Sequence, residues 1–344
     1  MIQFPKQIKR ILVTGGSGFI GSNLIRKLLN QTNIKVFNLD KVVHKDCLET
    51  FELCKDSNKY QLLNIDIFNE TDVKDAIDIS NPDLVFHLAA ETHVDKSISV
   101  PTLFLNSNII GTFNLLEALL NHWKSLTESR RNQFRFLHVS TDEVFGSTDG
   151  NSLFSEQTRY DPKSPYSATK AASDHLVRSW NNTFEFPVIV TNSCNNFGPW
   201  QFPEKLVPVI IKQALSSKSI PIYGDGMNVR DWIFVEDHVD ALIEVILKGK
   251  LGESYCIGAG QLKTNEEILK SICDLLDIYN KGNSPHIRFK KYVKDRPGHD
   301  QRYALDNRKI INELKWQPKY NFHEGIELTV KWYLNNTQWL NQLF

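Results

Sequence analysis

Short apolar runs alternate with helical patterns from residue 10 to about residue 195. Six of these apolar runs read as strands: RILVTG, KVFNLD, YQLLNIDI, DLVFHLAA, FRFLHVS and PVIVTNS. Their near-continuous apolar character is typical of strands that are covered on both faces. The pattern therefore predicts an α/β fold with a doubly wound parallel sheet and helices on both of its sides.

The alternation changes after Gly198, where a proline-rich segment, GPWQFPEKLVP, leads into a helix-rich remainder. We predict a first domain over residues 1–198 and a smaller α/β substrate domain over residues 199–344. Part of residues 225–259, which include the run DWIFVEDHVDALIEVIL, is expected to return to the first domain.

Charge and composition limit the possible partners. The 40 basic and 40 acidic residues cancel, so no net field attracts nucleic acid or an anionic membrane. We find no signal-like N-terminus and no apolar run near the roughly 18 residues of a spanning helix, and we expect a cytoplasmic protein. The five cysteines are scattered and have no histidines at metal-ligand spacing, so we expect reduced thiols and no metal site.

A glycine-rich turn, TGGSGFIG, follows the first predicted strand directly and opens a predicted helix. Glycines at such a turn let the backbone approach a pyrophosphate, which then lies at the helix N-terminus. The next predicted strand ends in Asp40, a carboxylate that can accept hydrogen bonds from an adenosine ribose and would repel a 2′-phosphate. Together these features predict a dinucleotide site that prefers NAD to NADP.

A second motif, SPYSATK, places a tyrosine and a lysine four residues apart. Ser164 is a candidate N-cap and Pro165 a first-turn proline, so Tyr166 and Lys170 should lie one turn apart on one helix face. A tyrosine serves as a base near neutral pH only if the phenolate is stabilised by about 4 kcal/mol. We expect the Lys170 ammonium and a bound nicotinamide ring to supply that stabilisation.

With both motifs in one chain, the sequence resembles the extended short-chain dehydrogenases/reductases that act on nucleotide sugars, from Arg10 to about Tyr333. The resemblance implies a Rossmann domain and a smaller C-terminal sugar-nucleotide domain. Within that family, STDEVFG resembles the catalytic segment of the dTDP-glucose 4,6-dehydratases, whereas the 4-epimerases generally lack the acid pair. Phe145 and Phe197 stand where tyrosine is more common in the family.

The adjacent acids Asp142 and Glu143 suit an elimination. Two carboxyls in a poorly solvated pocket do not both ionise easily, so one keeps its proton while the other acts as base. The resemblance implies that Tyr166 takes the O4 proton during oxidation at C4, that Glu143 removes the C5 proton and that Asp142 protonates the leaving C6 hydroxyl. Because successive strand residues face opposite ways, we predict that the strand ends near Ser140 and that residues 141–143 form a turn.

The resemblance also implies the remaining contacts of the site. The catalytic set is Thr141, Asp142, Glu143, Tyr166 and Lys170. The cofactor set adds Gly15, Gly18, Phe19, Ile20, Gly21, Asp40, Asp66, Ile67, Leu88, Ala89, Ala90, Thr92, Ser107 and Asn196 to Tyr166 and Lys170. The substrate set is Thr92, Thr141, Asn195, Lys205, Leu206, Pro221, Ile222, Tyr223, Arg230, Asn265, Arg296 and His299.

The expected function is thus an NAD-dependent dehydration of a nucleotide hexose, with dTDP-glucose as the favoured substrate and a homodimer as the favoured assembly. Thymine and uracil differ by one methyl group, so a UDP-glucose 4,6-dehydratase stays open. An epimerase or decarboxylase of the same family also stays open, as does, more remotely, a non-catalytic NAD-sensing protein.

Overall fold

The computed structural model describes residues 2–41 and 58–342, so Cys47 and Cys54 lie outside the described part of the chain. Its strands, in chain order, are β1 (Arg10–Thr14), β2 (Lys35–Asp40), β3 (Tyr60–Asn64), β4 (Leu84–His87), β5 (Arg135–Thr141), β6 (Val188–Ser193), β7 (Asn195–Phe197), β8 (Ile220–Tyr223), β9 (Val229–Phe234), β10 (Ser254–Ile257), β11 (Leu262–Thr264) and β12 (Lys290–Val293).

Seven of these strands form one sheet in the order β10-β6-β5-β4-β1-β2-β3. Every neighbouring pair in this sheet is parallel. Strands β1 to β6 coincide with the six apolar runs, which confirms the predicted doubly wound parallel sheet. Strand order reverses between β1 and β4, the position where open sheets of this kind bind ligands at their carboxyl edge.

The helices are α1 (Phe19–Gln31), α2 (Glu70–Ser80), α3 (Val94–Ser99), α4 (Pro101–Ser125), α5 (Glu128–Arg131), α6 (Pro165–Phe184), α7 (Leu206–Leu215), α8 (Val235–Lys248), α9 (Asn265–Tyr279), α10 (Arg308–Leu314), α11 (Phe322–Asn335) and α12 (Thr337–Gln342). Short 3-10 turns cover Asp142–Phe145, Lys281–Asn283 and His286–Phe289. Apolar residues of α1, α8 and α10 cover one face of the large sheet. Those of α2, α4 and α6 cover the other, so the core has two layers.

Helix α4 is the exception to the expectation that no segment reaches membrane-spanning length. Pro101–Ser125 is long and apolar enough to cross a bilayer by length and composition alone, although 61% of its most apolar window is buried. Asparagines at 106, 108 and 114 interrupt its apolar run, which is why the sequence pattern missed it. A core helix of a water-soluble protein passes the same test, and α4 packs on the sheet in this way.

The later strands build a smaller lobe. Strand β9 pairs with β7 in parallel and with β11 in antiparallel orientation, and β8 pairs with β12. A third apolar cluster joins these strands to α7, α9 and α11. Strand β10 lies in the large sheet beside β6, and α8 packs on that sheet. The domain boundary at residue 198 stays a prediction.

Candidate active site

Four loops meet at the carboxyl edge of the large sheet. They follow β1, β4, β5 and β6, whose registers align Thr14 with His87, and Thr141 with Ser193. Since the ends of parallel strands lie side by side, the glycine turn, the HLAAET segment, the acid pair and the two asparagines at 195 and 196 are brought together. The chain therefore concentrates its predicted chemistry at one edge.

The glycine turn has the shape of a pyrophosphate cradle. Gly15 adopts a φ of 69° and a Cβ there would lie 2.6 Å from Ala89 N. A Cβ on Gly21 would lie 2.3 Å from the Gly15 carbonyl oxygen, so only glycine lets α1 start this close to β1. No side chain among the described residues caps the N-terminus of α1 at Gly18. The uncapped helix end leaves backbone N–H groups for an anion, as a dinucleotide requires.

The acid expected at the ribose is in place. Asp40 Oδ2 accepts a hydrogen bond from Ser17 N at 2.9 Å, which holds the carboxylate beside the glycine turn. The neighbouring Lys41 ammonium donates to Glu91 at 2.9 Å and lies 3.7 Å from Asp66. Two acids therefore engage the lysine next to Asp40. These residues fit NAD, whose ribose offers hydroxyls rather than a phosphate at this position.

The acid pair lies on a turn, as predicted. Strand β5 continues to Thr141, one residue beyond the expected end, and Asp142 to Phe145 form a 3-10 turn. Thr141 caps this turn, because its hydroxyl accepts a hydrogen bond from Glu143 N at 3.2 Å. The same hydroxyl donates to Asp142 Oδ1 at 3.3 Å. The turn releases both carboxyls from the alternation of an extended strand, so both interact with Tyr166.

The two carboxyls differ in their electrostatic surroundings. Asp142 is only 1% exposed, and its Oδ2 has no hydrogen-bond partner among the described residues. Burial, followed by the charge of Glu143, raises its pKa well above the ordinary value. Burial also raises the pKa of Glu143, but the cations Arg296, Lys205 and Arg230 act against that shift. Asp142 is therefore the carboxyl that keeps a proton, and Glu143 is the one that can ionise.

Helix α6 supplies the tyrosine and the lysine. Ser164 and Ser167 form a capping box and Pro165 opens the helix, which confirms the predicted start. Lys170 Nζ donates to the Val139 carbonyl at 3.0 Å, and burial lowers its pKa to about 8. Burial raises the pKa of Tyr166 well above its ordinary value, Glu143 adds to this, and the Thr141 hydroxyl acts against it. The Thr141 hydroxyl is thus a neighbour that lowers the pKa of the phenol, and the lowering expected from Lys170 and a bound nicotinamide ring stays a prediction.

Cations from the smaller lobe face the acid pair. Lys205 Nζ donates to the Thr92 carbonyl at 2.8 Å. Arg230 is buried, lies 4.2 Å above the Tyr303 ring and donates to the Asp300 carbonyl at 2.7 Å. Arg296 lies within 3.6 Å of an Asp95 oxygen. These positive groups all act on Glu143, so they lie around the acid pair, and their predicted contact with a diphosphate stays a prediction.

A family model described as GDP-mannose 4,6 dehydratase matches residues 12–329. The chain belongs to this family. The dTDP-glucose 4,6-dehydratase of Salmonella typhimurium is 48% identical to this chain. The alignment covers 97% of this chain and 95% of that enzyme. A crystal structure of dTDP-glucose 4,6-dehydratase from Bacillus anthracis in complex with NAD is 38% identical, with a TM-score of 0.86 over 98% of this chain and 100% of that one. DesIV, a dTDP-glucose 4,6-dehydratase from Streptomyces venezuelae solved with NAD and TYD bound, is 36% identical, with a TM-score of 0.87 over 97% of this chain and 100% of that one.

Most of the other predicted site residues lie at the same edge, but three apolar ones face the core. Ile67 is buried against Gly111 of α4, so a contact with adenine would come from its backbone. Ile222 is buried in the smaller lobe, while its strand neighbours Pro221 and Tyr223 face outward. The expected contact of the Ile222 side chain with a base is therefore not supported. Leu206 packs on the same core.

The remaining predicted contacts occupy loops, helices and the short strand β7. Leu88 N donates to the Thr14 carbonyl and Ala89 N to the Thr14 hydroxyl, so this segment is held against β1. His299 Nδ1 lies 2.7 Å from Asp295. The binding roles of all predicted site residues stay predictions, including those not placed above: Phe19, Ile20, Ala90, Ser107, Asn195, Asn196 and Asn265.

Several polar residues at the site carried no sequence motif that we used. Asn108 in α4 holds Glu91 through both backbone groups and donates to Thr169. Asp95 contacts Arg296 and accepts from the Tyr223 hydroxyl at 3.5 Å. Asp174, one turn after Lys170, is fully buried; the repeated spacing of four from Tyr166 to Lys170 to Asp174 was the signal that could have found it.

The two phenylalanines at tyrosine positions lie among aromatic rings. Phe145 stacks on Phe154 with ring centroids 5.2 Å apart. Phe197 packs at 5.6 Å from Phe322. Apolar surroundings compensate for the absent hydroxyls, since a buried hydroxyl without a partner would be costly. The two phenylalanines therefore leave the acid pair, Asp142 and Glu143, unchanged.

Proposed function

We propose that the protein is a dTDP-glucose 4,6-dehydratase, an NAD-dependent lyase that converts dTDP-glucose into dTDP-4-keto-6-deoxyglucose and water. The observation that carries the proposal is the 3-10 turn that puts Asp142 and Glu143 in electrostatic contact with Tyr166. The relatives support the same assignment, because those described above are named for this reaction.

The glycine turn, Asp40, Tyr166 and Lys170 would hold NAD. The fit rests on the close approach of α1 to β1 and on the uncapped N-terminus of that helix. Bound NAD would supply hydride transfer, from C4 of the sugar and back to C6. The chain must therefore move protons in step with these transfers and keep water away from the sugar ring.

Tyr166 and Thr141 act on the proton of the sugar O4 hydroxyl, which leaves first. The Thr141 hydroxyl interacts with the phenol and lies at the end of β5, where it can orient the sugar O4. Tyr166 accepts the O4 proton as C4 becomes a ketone. Burial makes the phenolate costly, so this step needs the positive charge of Lys170 and of the bound cofactor nearby. The resulting ketone acidifies the proton on C5.

Glu143 and Asp142 then carry out the elimination. Glu143 faces three cations that favour its ionised form, so it can remove the C5 proton. Asp142 keeps its proton because of burial and the neighbouring Glu143 charge, and it gives that proton to the C6 hydroxyl, which leaves as water. Glu143 returns a proton to C5, and solvent exchange resets Asp142 and Tyr166.

The cations at 205, 230 and 296 would hold the diphosphate. Arg230 is held by the backbone carbonyls of Asp300 and Gln301 and by the Tyr303 ring, so its guanidinium is fixed before a ligand arrives. Fixing a cation in advance reduces the entropy lost on binding. Tyr223, half exposed at the edge of the smaller lobe, is the candidate neighbour of the base.

Incubation with dTDP-glucose, UDP-glucose and CDP-glucose in parallel tests the proposal, with the 4-keto product followed by its absorbance in base. We expect the highest kcat/KM with dTDP-glucose. A higher value with UDP-glucose would favour a UDP-glucose dehydratase, and a C4 epimer without loss of water would favour an epimerase. No product from any of the three would contradict the proposed function.

A cytoplasmic homodimer is part of the same proposal. A strip of large apolar side chains on α3, α4 and the segment between them is exposed: Ile98, Val100, Leu103, Leu105, Ile110 and Phe113. Phe113 packs edge-on against Trp180 at 5.9 Å, so α4 and α6 lie side by side. A second copy of the pair would cover the strip as a four-helix bundle.

A further inference from the structure

Asp174 has no part in the mechanism above, yet it is one of the most enclosed charges of the described chain. Its exposure is 0%, and four side chains donate to its carboxylate. Oδ1 accepts from His138 Nε2 at 3.0 Å, while Oδ2 accepts from Ser140 Oγ at 2.8 Å, Tyr160 OH at 2.8 Å and Asn192 Nδ2 at 3.3 Å. A buried carboxylate with this many donors is held in its ionised form, and its pKa is lowered.

The cluster encloses the lysine of the active site. His138 and Ser140 alternate along β5, so both side chains point to α6, and the carbonyl of the residue between them accepts from Lys170 Nζ. Asn192 also donates to the Thr141 carbonyl at 3.1 Å. The carboxylate therefore joins α6 to the part of β5 that leads into the acid pair.

The side chains that donate to Asp174 are neutral, so none of them balances the negative charge of its carboxylate. Burial lowers the pKa of His138 to about 4, so its ring is neutral and Nε2 carries the proton that is donated. His87 on β4 also faces Lys170, and its pKa is lowered well below the ordinary value. Arg178 reaches the cluster only through the Tyr160 hydroxyl, at 2.7 Å. Lys170 is thus the buried cation one turn away from this carboxylate.

We propose that Asp174 is a positioning residue that keeps the Lys170 ammonium protonated and held in place, one helical turn from Tyr166. The catalytic part of this inference rests on the proposed function; the electrostatic part does not. An isolated lysine in this enclosed site would lose its proton near neutral pH, because burial disfavours the charged form. The carboxylate opposes that loss from a fixed distance, since both groups lie on one helix and the cluster holds Asp174 still.

The sign of the effect follows from the charges. Burial brings the pKa of Lys170 to about 8 while Asp174 acts in the opposite direction. The ammonium is present below that pH and is lost as the pH rises through it. Replacing Asp174 by asparagine removes the negative charge, so the pKa of Lys170 falls and the ammonium is lost at a lower pH. We expect a fall of about one pH unit or more.

The first experiment measures Lys170 itself. The protein is labelled with carbon-13 at lysine Cε, the Lys170 resonance is assigned with Lys170→Met, and its titration is compared between the wild type and Asp174→Asn. The matched control is Asp274→Asn on α9, where Lys270 and Asp274 have the same spacing but are exposed. The control should leave the Lys170 titration unchanged. An unchanged Lys170 midpoint in Asp174→Asn would overturn the proposal.

The second experiment follows the pH dependence of C4 oxidation in a single turnover. In Asp174→Asn the alkaline decline should move to lower pH by the same amount as the Lys170 midpoint. An equal loss of rate at every pH would show a purely structural role and contradict the proposal. If no hexose nucleotide reacts, the proposed function fails while the titration still decides the role of Asp174. If Asp174→Asn does not fold, the wild-type titration decides: a Lys170 already neutral at pH 7 contradicts the proposal.

Discussion

Burial and then the charge of Glu143 raise the pKa of Asp142, whereas Arg296, Lys205 and Arg230 oppose the rise that burial causes in the pKa of Glu143. Arg230 acts on both carboxyls, so the two differ chiefly in the effect of Arg296 and Lys205 on Glu143. Spacing along the chain could not decide which of them keeps the proton. Arg296 and Lys205 of the smaller lobe favour ionisation of Glu143, while burial and the Glu143 charge favour the protonated form of Asp142.

Asp142→Asn should separate oxidation from elimination. The amide keeps the shape of the side chain but cannot give a proton to the C6 hydroxyl. We expect reduction of the bound cofactor on addition of substrate, followed by a loss of turnover of about 100-fold or more. Stopped-flow absorbance of the reduced nicotinamide and product analysis measure the two steps. Full turnover would show that Asp142 is not the acid.

Tyr166→Phe should stop the reaction one step earlier, because no group then accepts the O4 proton. Neither the reduced cofactor nor the 4-keto product should appear, with a rate loss of about 100-fold or more. Tyr255→Phe is the matched control and should reduce the cofactor at the normal rate, since it removes the hydroxyl of another buried tyrosine, which donates to Glu313 on α10. Cofactor reduction at the normal rate in Tyr166→Phe would show that Tyr166 does not accept the O4 proton.

The ionisation of Glu143 should set the acid limb of the pH profile. The base works only when ionised, so activity falls as the pH falls through its pKa, which burial raises. Arg296 is the foremost charge acting against that rise, and Arg296→Gln should therefore move the acid limb of kcat to higher pH. Measuring kcat at saturating substrate separates this shift from weaker binding. An acid limb that stays in place would mean that Arg296 does not act on the base.

Gly21→Ala should abolish cofactor retention. The added Cβ would lie 2.3 Å from the Gly15 carbonyl, so α1 must move away from the turn that receives the pyrophosphate. The cofactor released by denaturing purified protein measures the effect, and we expect little or none. Gly282→Ala is the control, because the nearest atom to its Cβ is a side-chain oxygen at 3.7 Å. Normal cofactor content in Gly21→Ala would exclude this turn as the binding site.

The large sheet and the start of α6 could be predicted because their signals are local. Continuous apolar runs form β1 to β6, and Ser164 with Pro165 begins the helix where expected. The acid turn was predictable from a geometric constraint, since an extended strand cannot present two successive side chains to one sugar. In these cases, neighbours in sequence are also neighbours in space.

The rest depends on contacts between distant segments. Ile222 and Tyr223 belong to one short strand, and nothing in that stretch shows which of them faces the core until β8 pairs with β12. The bond from Lys170 to the carbonyl of Val139 is another contact of this kind, because it joins α6 to a strand that is distant in sequence. Charges that meet through the fold cannot be assigned from spacing alone.

A charge placed in the apolar strip should dissociate the proposed dimer. Leu103 and Leu105 are exposed at 38% and 47%, although leucines of this kind are normally covered when they occur together on one helix. A glutamate at Leu105 would bring two like charges together across a symmetric interface and cost desolvation as well. We expect Leu105→Glu to elute as a monomer in size-exclusion chromatography with light scattering, while the wild type elutes as a dimer. Ile278→Glu on α9 introduces the same charge at a side chain that is 60% exposed away from the strip, and it should stay dimeric. A monomeric wild type, or a dimer that persists in Leu105→Glu, would contradict the assignment of this interface.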